Sequence, residues 1–79
     1  MKIQVVLYAS LAHLLPPGSK GNTCTLELKE GTTVGDLLTM LGISLDTPKI
    51  IFLNGRHTDY SGLLNNDDRV AVFPPIAGG

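Results

Sequence analysis

Thr33-Val34-Gly35-Asp36-Leu37-Leu38-Thr39-Met40-Leu41-Gly42 decides the fold, because it reads as a helix at both ends and along its length. Thr33 offers a capping hydroxyl three residues before the Asp36 carboxylate, a pairing that answers the unsatisfied N–H groups of a helix start. Val34, Leu37, Leu38 and Leu41 fall at i, i+3, i+4 and i+7 and make one apolar stripe. Gly42 stands where a residue of positive φ closes a helix. One stripe needs one apolar surface beneath it, and the flanking segments supply a sheet.

Upstream, Lys2 to Ala9 is rich in β-branched and aromatic residues and has the length of a strand, with Ile3, Val5 and Leu7 on one face. Ser10 is placed to cap a short helical segment, Leu11 to Leu15, which Pro16-Pro17-Gly18 must end. After a loop through Gly21, Thr23 to Lys29 alternates polar and apolar, so Cys24, Leu26 and Leu28 point inward. Downstream, Ile50 to Leu53 reads as a third strand, and Asn54-Gly55 is a strong hairpin-turn signal leading to a short fourth strand from Arg56. Ser61 to Asn66 reads as a loop or a single helical turn, Asp67-Asp68 as a turn, and Arg69 to Phe73 as the last strand. The order ββαββ predicts an α+β fold, a mixed sheet with one main helix packed across one face.

Composition narrows the function classes. Seventy-nine residues hold one small domain, 1–79. The formal charge of −1, with six basic and seven acidic residues scattered along the chain, leaves no electrostatic footprint for nucleic acid or an anionic membrane. Neither a basic-plus-apolar leader nor an apolar run of about 18 residues is visible. The single cysteine, Cys24, excludes an internal disulfide and fits a reducing compartment, so the expected location is cytoplasmic.

Candidate chemistry concentrates at the C-terminal end. The apolar run Val70-Ala71-Val72-Phe73 leads directly into Pro74-Pro75-Ile76-Ala77-Gly78-Gly79. Two prolines hold the start of this segment extended, and two glycines without Cβ atoms let the backbone enter a channel that a side chain would block. Residues 74–79 are therefore expected to form a flexible arm with a reactive Gly79 carboxylate at its tip. Elsewhere the signals are structural. Gly18-Ser19-Lys20-Gly21 lacks the spacing of a phosphate-binding loop, and His13 and His57 have no partner at metal-ligand spacing. Cys24 alternates with core leucines, and Asp67-Asp68 reads as turn chemistry.

The element order is that of a β-grasp, and a β-grasp ending in Gly78-Gly79 resembles the ubiquitin-like sulfur carriers, the molybdopterin synthase small subunit and the thiamine-pathway type among them. The resemblance is carried by Tyr8-Ala9, Thr33-Val34-Gly35-Asp36-Leu37, Asn54-Gly55 and, most sharply, Phe73 to Gly79. It implies that strands one and five are parallel neighbours. It also implies adenylation of Gly79 by a partner adenylyltransferase similar to ubiquitin-activating enzymes, which uses ATP, so that this chain binds no cofactor or metal itself. The adenylate then accepts sulfur, and the Gly79 thiocarboxylate is read by a large synthase subunit that transfers the sulfur to a pterin precursor for molybdenum cofactor. On this reading the chain is a sulfur-donating subunit without catalytic power of its own. Other sulfur-requiring pathways, such as thiamine thiazole or tungsten-cofactor synthesis, and a protein-modifier or non-covalent interaction role remain alternatives.

Strand parity adds a docking surface. If Ile3, Val5 and Leu7 face the helix, then Val6 and Tyr8 face away from it, as do Ala71 and Phe73 on the last strand. These four are expected to form one exposed apolar patch beside the arm, which with Pro74, Pro75, Ile76 and Ala77 would meet the partner enzymes.

Overall fold

The computed structural model describes residues 1–47 and 49–74. Its elements are β1 (Lys2–Leu7), a 3-10 helix (Ala9–Leu14), β2 (Thr23–Glu27), α1 (Val34–Met40), β3 (Ile50–Leu53), β4 (Arg56–His57) and β5 (Arg69–Phe73). The strands form one mixed sheet in the order β2-β1-β5-β3-β4. β1 and β5 run parallel at its centre, as expected, and the other pairs are antiparallel.

The helix forms for the local reasons its sequence announces. Asp36 N–H donates to Thr33 Oγ1 at 3.2 Å, and Thr33 N–H donates to Asp36 Oδ2 at 3.1 Å, completing a capping box. At the other end Gly42 has φ +82°. Its N–H reaches the Thr39 carbonyl and the Ile43 N–H reaches that of Leu38, so the last carbonyls are satisfied by a reversal that favours glycine. Val34, Leu37 and Leu38 are completely buried and share a core with Ile3, Val5, Leu7, Val70 and Val72, while Leu41 packs half-buried at its edge.

The loop after β4 seats the helix start. Val34 N–H donates to the Gly62 carbonyl at 2.8 Å and Gly35 N–H to the Tyr60 carbonyl at 2.9 Å. A Cβ at Gly35 would lie 3.1 Å from both the Tyr60 Cβ and its carbonyl oxygen, so glycine permits this approach. Segment 61–66 is extended loop with a bridge between Thr33 and Leu63, and the alternative of a helical turn there does not form.

Local signals also settle the hairpins. Asn54 and Gly55 have φ of 53° and 81°, the two left-handed residues of a tight hairpin turn. Asp68 accepts from Asn65 N–H at 2.7 Å and from Asn54 Nδ2 at 2.8 Å, which ties the turn before β5 to the β3–β4 hairpin. Three boundaries differ from expectation. β1 stops at Leu7 because Ala9 turns into positive φ, 51°. The following segment is a 3-10 helix beginning at Ala9, not an α-type turn capped by Ser10; Tyr8 occupies the cap position, with no side-chain cap bond. β2 ends at Glu27, although Leu28 stays buried and its N–H reaches the Met1 carbonyl at 2.8 Å.

Candidate functional site

The face of the sheet opposite α1 follows from the register. Val6 lies beside Thr23 on β2 and Ala71 on β5, Ala71 beside Phe52 on β3, and Phe52 beside His57 on β4, so one row crosses all five strands. The next row toward the end of β5 places Phe73 beside Ile50. Tyr8, just past β1, joins it through its N–H, which donates to the Val72 carbonyl at 3.1 Å. On the other side of the central row stand Thr25, Gln4 and Arg69. The face thus grades from polar to apolar along β5, and its apolar end is where the chain leaves the sheet.

Four rings organise that end. Tyr8 and Phe73 stack with centroids 4.1 Å apart and planes 5° from parallel. Phe52 meets Phe73 edge-on at 5.8 Å and His57 edge-on at 4.8 Å. Stacked and edge-to-face pairs satisfy the ring quadrupoles and stiffen the cluster. Together with Ala9, Ile50 and Pro74 these rings line an open apolar hollow of about 500 Å³.

The expected patch is corrected in one respect. Tyr8 and Phe73 are half-buried and line the hollow, but Val6 and Ala71 are only 3% and 7% exposed. Both lie outside the helix-side core, as parity requires, yet they are buried in the central row of the sheet, Val6 between Thr23 and Ala71 and Ala71 between Val6 and Phe52. They do not line the hollow; Ile50, Phe52 and His57, which sequence reasoning does not single out, do. The two-residue Asn54-Gly55 turn carries a signal for two of them, since it forces Phe52 opposite His57. Among the other expected partner-binding residues, Pro74 borders the hollow. Pro75, Ile76, Ala77, Gly78 and Gly79 lie outside the described residues.

Cys24 faces the helix side and is buried. Burial pushes its thiol up from the ordinary value, and a hydrogen bond with Ser19 acts in the opposite direction, so the thiolate is not favoured. His13 and His57 are exposed and separate. Among the described residues no group of three or more His, Cys, Asp or Glu side chains could hold a metal ion, and no helix is long and apolar enough to cross a membrane.

A mixed sheet with parallel central strands, one helix on one face and an aromatic hollow on the other defines a ubiquitin-like β-grasp protein. Over residues 6–79 the sequence matches the ThiS family, and the chain belongs to that family. A putative molybdopterin converting factor subunit 1 from Pyrococcus furiosus is 27% identical, with a TM-score of 0.73 over 95% of this chain and 98% of that one. SAMP1 from Haloferax volcanii, a small archaeal modifier protein, is 25% identical with a TM-score of 0.75 over the whole of both chains. A chain of the complex of subunits 1 and 2 of the molybdopterin-converting factor from Helicobacter pylori shares the fold at 19% identity, with a TM-score of 0.64 over the whole of both chains. Comparison with curated proteins finds no match.

Proposed function

We propose that this protein carries sulfur as a thiocarboxylate on Gly79 and serves as the small subunit of molybdopterin synthase. The observation that carries the reading is the position of the aromatic hollow: Phe73, the last residue of β5, is both a wall of the hollow and the start of the segment ending in Gly78-Gly79. A partner seated on Tyr8, Phe52 and Phe73 therefore holds the chain at the point from which the C-terminal segment reaches an active site. Membership of the ThiS family and the likeness to the Pyrococcus protein support the sulfur-carrier role.

The chemistry follows from the weakness of a carboxylate as an acyl donor. The Gly79 carboxylate attacks the α-phosphate of ATP bound to the activating adenylyltransferase, releasing pyrophosphate and forming an acyl adenylate. Sulfide-level sulfur, as HS−, attacks the acyl carbon and AMP leaves, giving the thiocarboxylate with no change of oxidation state. The large synthase subunit, for which the Helicobacter complex is the precedent, then receives the tail so that sulfur passes to a pterin precursor. Gly78 and Gly79 fit a narrow channel because they carry no side chain.

A second reading, modification of proteins through a lysine isopeptide bond, is favoured by the full-length likeness to the Haloferax modifier protein. Intact-mass measurement of the protein isolated with its native activating enzyme separates the two. Replacement of one terminal oxygen by sulfur supports the carrier, and a lysine-linked adduct in place of that species refutes it.

A further inference from the structure

Asn54-Gly55 is a chemically reactive pair as well as a turn. An asparagine becomes an aspartate without an enzyme when the amide nitrogen of the next residue attacks its side-chain carbonyl carbon. A next residue without Cβ leaves that approach open, and asparagine counts among the heat-labile residues. Of the four asparagines in the chain only Asn54 precedes glycine, since Asn22, Asn65 and Asn66 precede Thr23, Asn66 and Asp67. Asn54 and Gly55 are exposed, so the water that completes the reaction has access to them.

The fold holds the Asn54 carboxamide by both of its polar atoms. Nδ2 donates to Asp68 Oδ1 at 2.8 Å, and Oδ1 accepts from Arg69 N–H at 2.9 Å. The backbone N–H of Asn54 adds a third bond, to the Arg69 carbonyl at 2.8 Å. Asp68 is itself fixed, because its Oδ2 accepts from Asn65 N–H at 2.7 Å. The side chain is thus turned across to the start of β5, whereas attack by the Gly55 nitrogen requires it to turn back onto its own next peptide.

We infer that Asn54 is a deamidation site held closed by Asp68 and Arg69, and that its conversion unties the β3–β4 hairpin. In the reaction the Gly55 nitrogen bonds to Asn54 Cγ and the Cγ–Nδ2 bond breaks. Ammonia leaves with the proton from Gly55, and a succinimide remains. Water then opens either carbonyl to give aspartate or isoaspartate, with no change of oxidation state. Aspartate sets an acceptor against Asp68 Oδ1 where a donor stood, so two carboxylates meet without a proton between them. Isoaspartate adds one methylene to the backbone of a two-residue turn that fixes the register Leu53 to Arg56 and Phe52 to His57. β4 is two residues long and lies at the sheet edge, paired with β3 alone. Loss of the turn therefore releases His57 from Phe52 and removes a wall of the aromatic hollow.

The test is incubation of the full-length wild type and Asp68→Ala at mildly alkaline pH, with and without urea. Mass spectrometry follows the exchange of amide nitrogen for oxygen, and peptide mapping locates it and separates aspartate from isoaspartate. The folded wild type is expected to convert at Asn54 at least about tenfold more slowly than the unfolded chain, the equilibrium effect of one hydrogen bond to a charged group. Asp68→Ala, folded by circular dichroism, is expected to lose most of that protection. Asn54→Asp should lower the urea midpoint. Asn54→Asp combined with Asp68→Asn should restore it, because the exchanged pair again sets an amide N–H against a carboxylate. Equal rates in folded and unfolded wild type overturn the inference, as does conversion centred on another asparagine or a folded Asp68→Ala that converts like the wild type. A midpoint for Asn54→Asp equal to that of the wild type, or no recovery in the exchanged pair, overturns the untying. These last two variants decide the role of Asp68 even where Asp68→Ala does not fold.

Discussion

Adjacent residues of β5 offer a clean separation of docking from folding. Val72 is completely buried in the helix-side core, whereas Phe73 faces the hollow, half-buried, with its ring stacked on Tyr8 and edge-on to Phe52. Phe73→Ser removes two aromatic pairs worth about 0.5–1.5 kcal/mol each beyond area burial, and the lost burial of half the ring adds about 1 kcal/mol, so the folded state loses about 2–4 kcal/mol. Val72→Ala removes two buried methyl groups at about 0.8 kcal/mol each, and the void left behind raises the cost to about 2 kcal/mol. A domain of 79 residues has about 4–12 kcal/mol of stability at about 0.05–0.15 kcal/mol per residue, so both variants fold.

The two stability losses overlap, and the docking losses should not. Loss of an aromatic anchor from the middle of a contact surface costs at least about 2 kcal/mol, or about 30-fold in Kd, whereas Val72 touches no partner. Urea unfolding followed by circular dichroism measures the first quantity. Titration of the activating adenylyltransferase, corrected for the unfolded fraction, measures the second. Docking losses for the two variants within about threefold of each other would refute the reasoning, because the hollow would then contribute no more than the core. Unfolding of Phe73→Ser would show instead that the aromatic cluster is a second core.

Leu38, completely buried on α1, should cost about 2–5 kcal/mol when changed to alanine, read from the urea midpoint at constant slope. Thr33→Ala removes one half of the capping box and should cost about 0.5–2 kcal/mol by the same measurement. Deletion of Gly79 shortens the C-terminal segment by about 3.3–3.6 Å, and Gly78→Val adds a branched side chain to it; both should abolish ATP-dependent thiocarboxylate formation with little change in melting temperature. Cys24→Ala should leave that reaction intact, all three being read by mass spectrometry after incubation with activating enzyme, ATP and a sulfur donor.

Features built from neighbours in the chain are legible in the sequence alone. Thr33 and Asp36 are three residues apart, and Asn54-Gly55 closes its hairpin by itself, so the helix start and the tight turn need no distant partner. Alternation along β1 and β5 places Tyr8 and Phe73 on the face away from the helix, because side chains on a strand point to opposite faces in turn. The 3-10 helix is less legible: Ser10 looks like a cap, but the positive φ at Ala9 starts the segment earlier.

Only the tertiary structure decides what that face is made of. Parity assigns a residue to a face without saying which strand lies beside it or how deeply its neighbours enclose it. The pairing of β3 with β5 sets Phe52 beside Ala71 and Ile50 beside Phe73, residues far apart in the chain, and thereby buries Ala71 while bringing Phe52 and His57 to the hollow. In Ile50-Ile51-Phe52-Leu53 every residue is apolar, so composition cannot tell the face that meets the helix from the face that lines the hollow. Register makes that distinction, and register is a property of strands brought together by the fold.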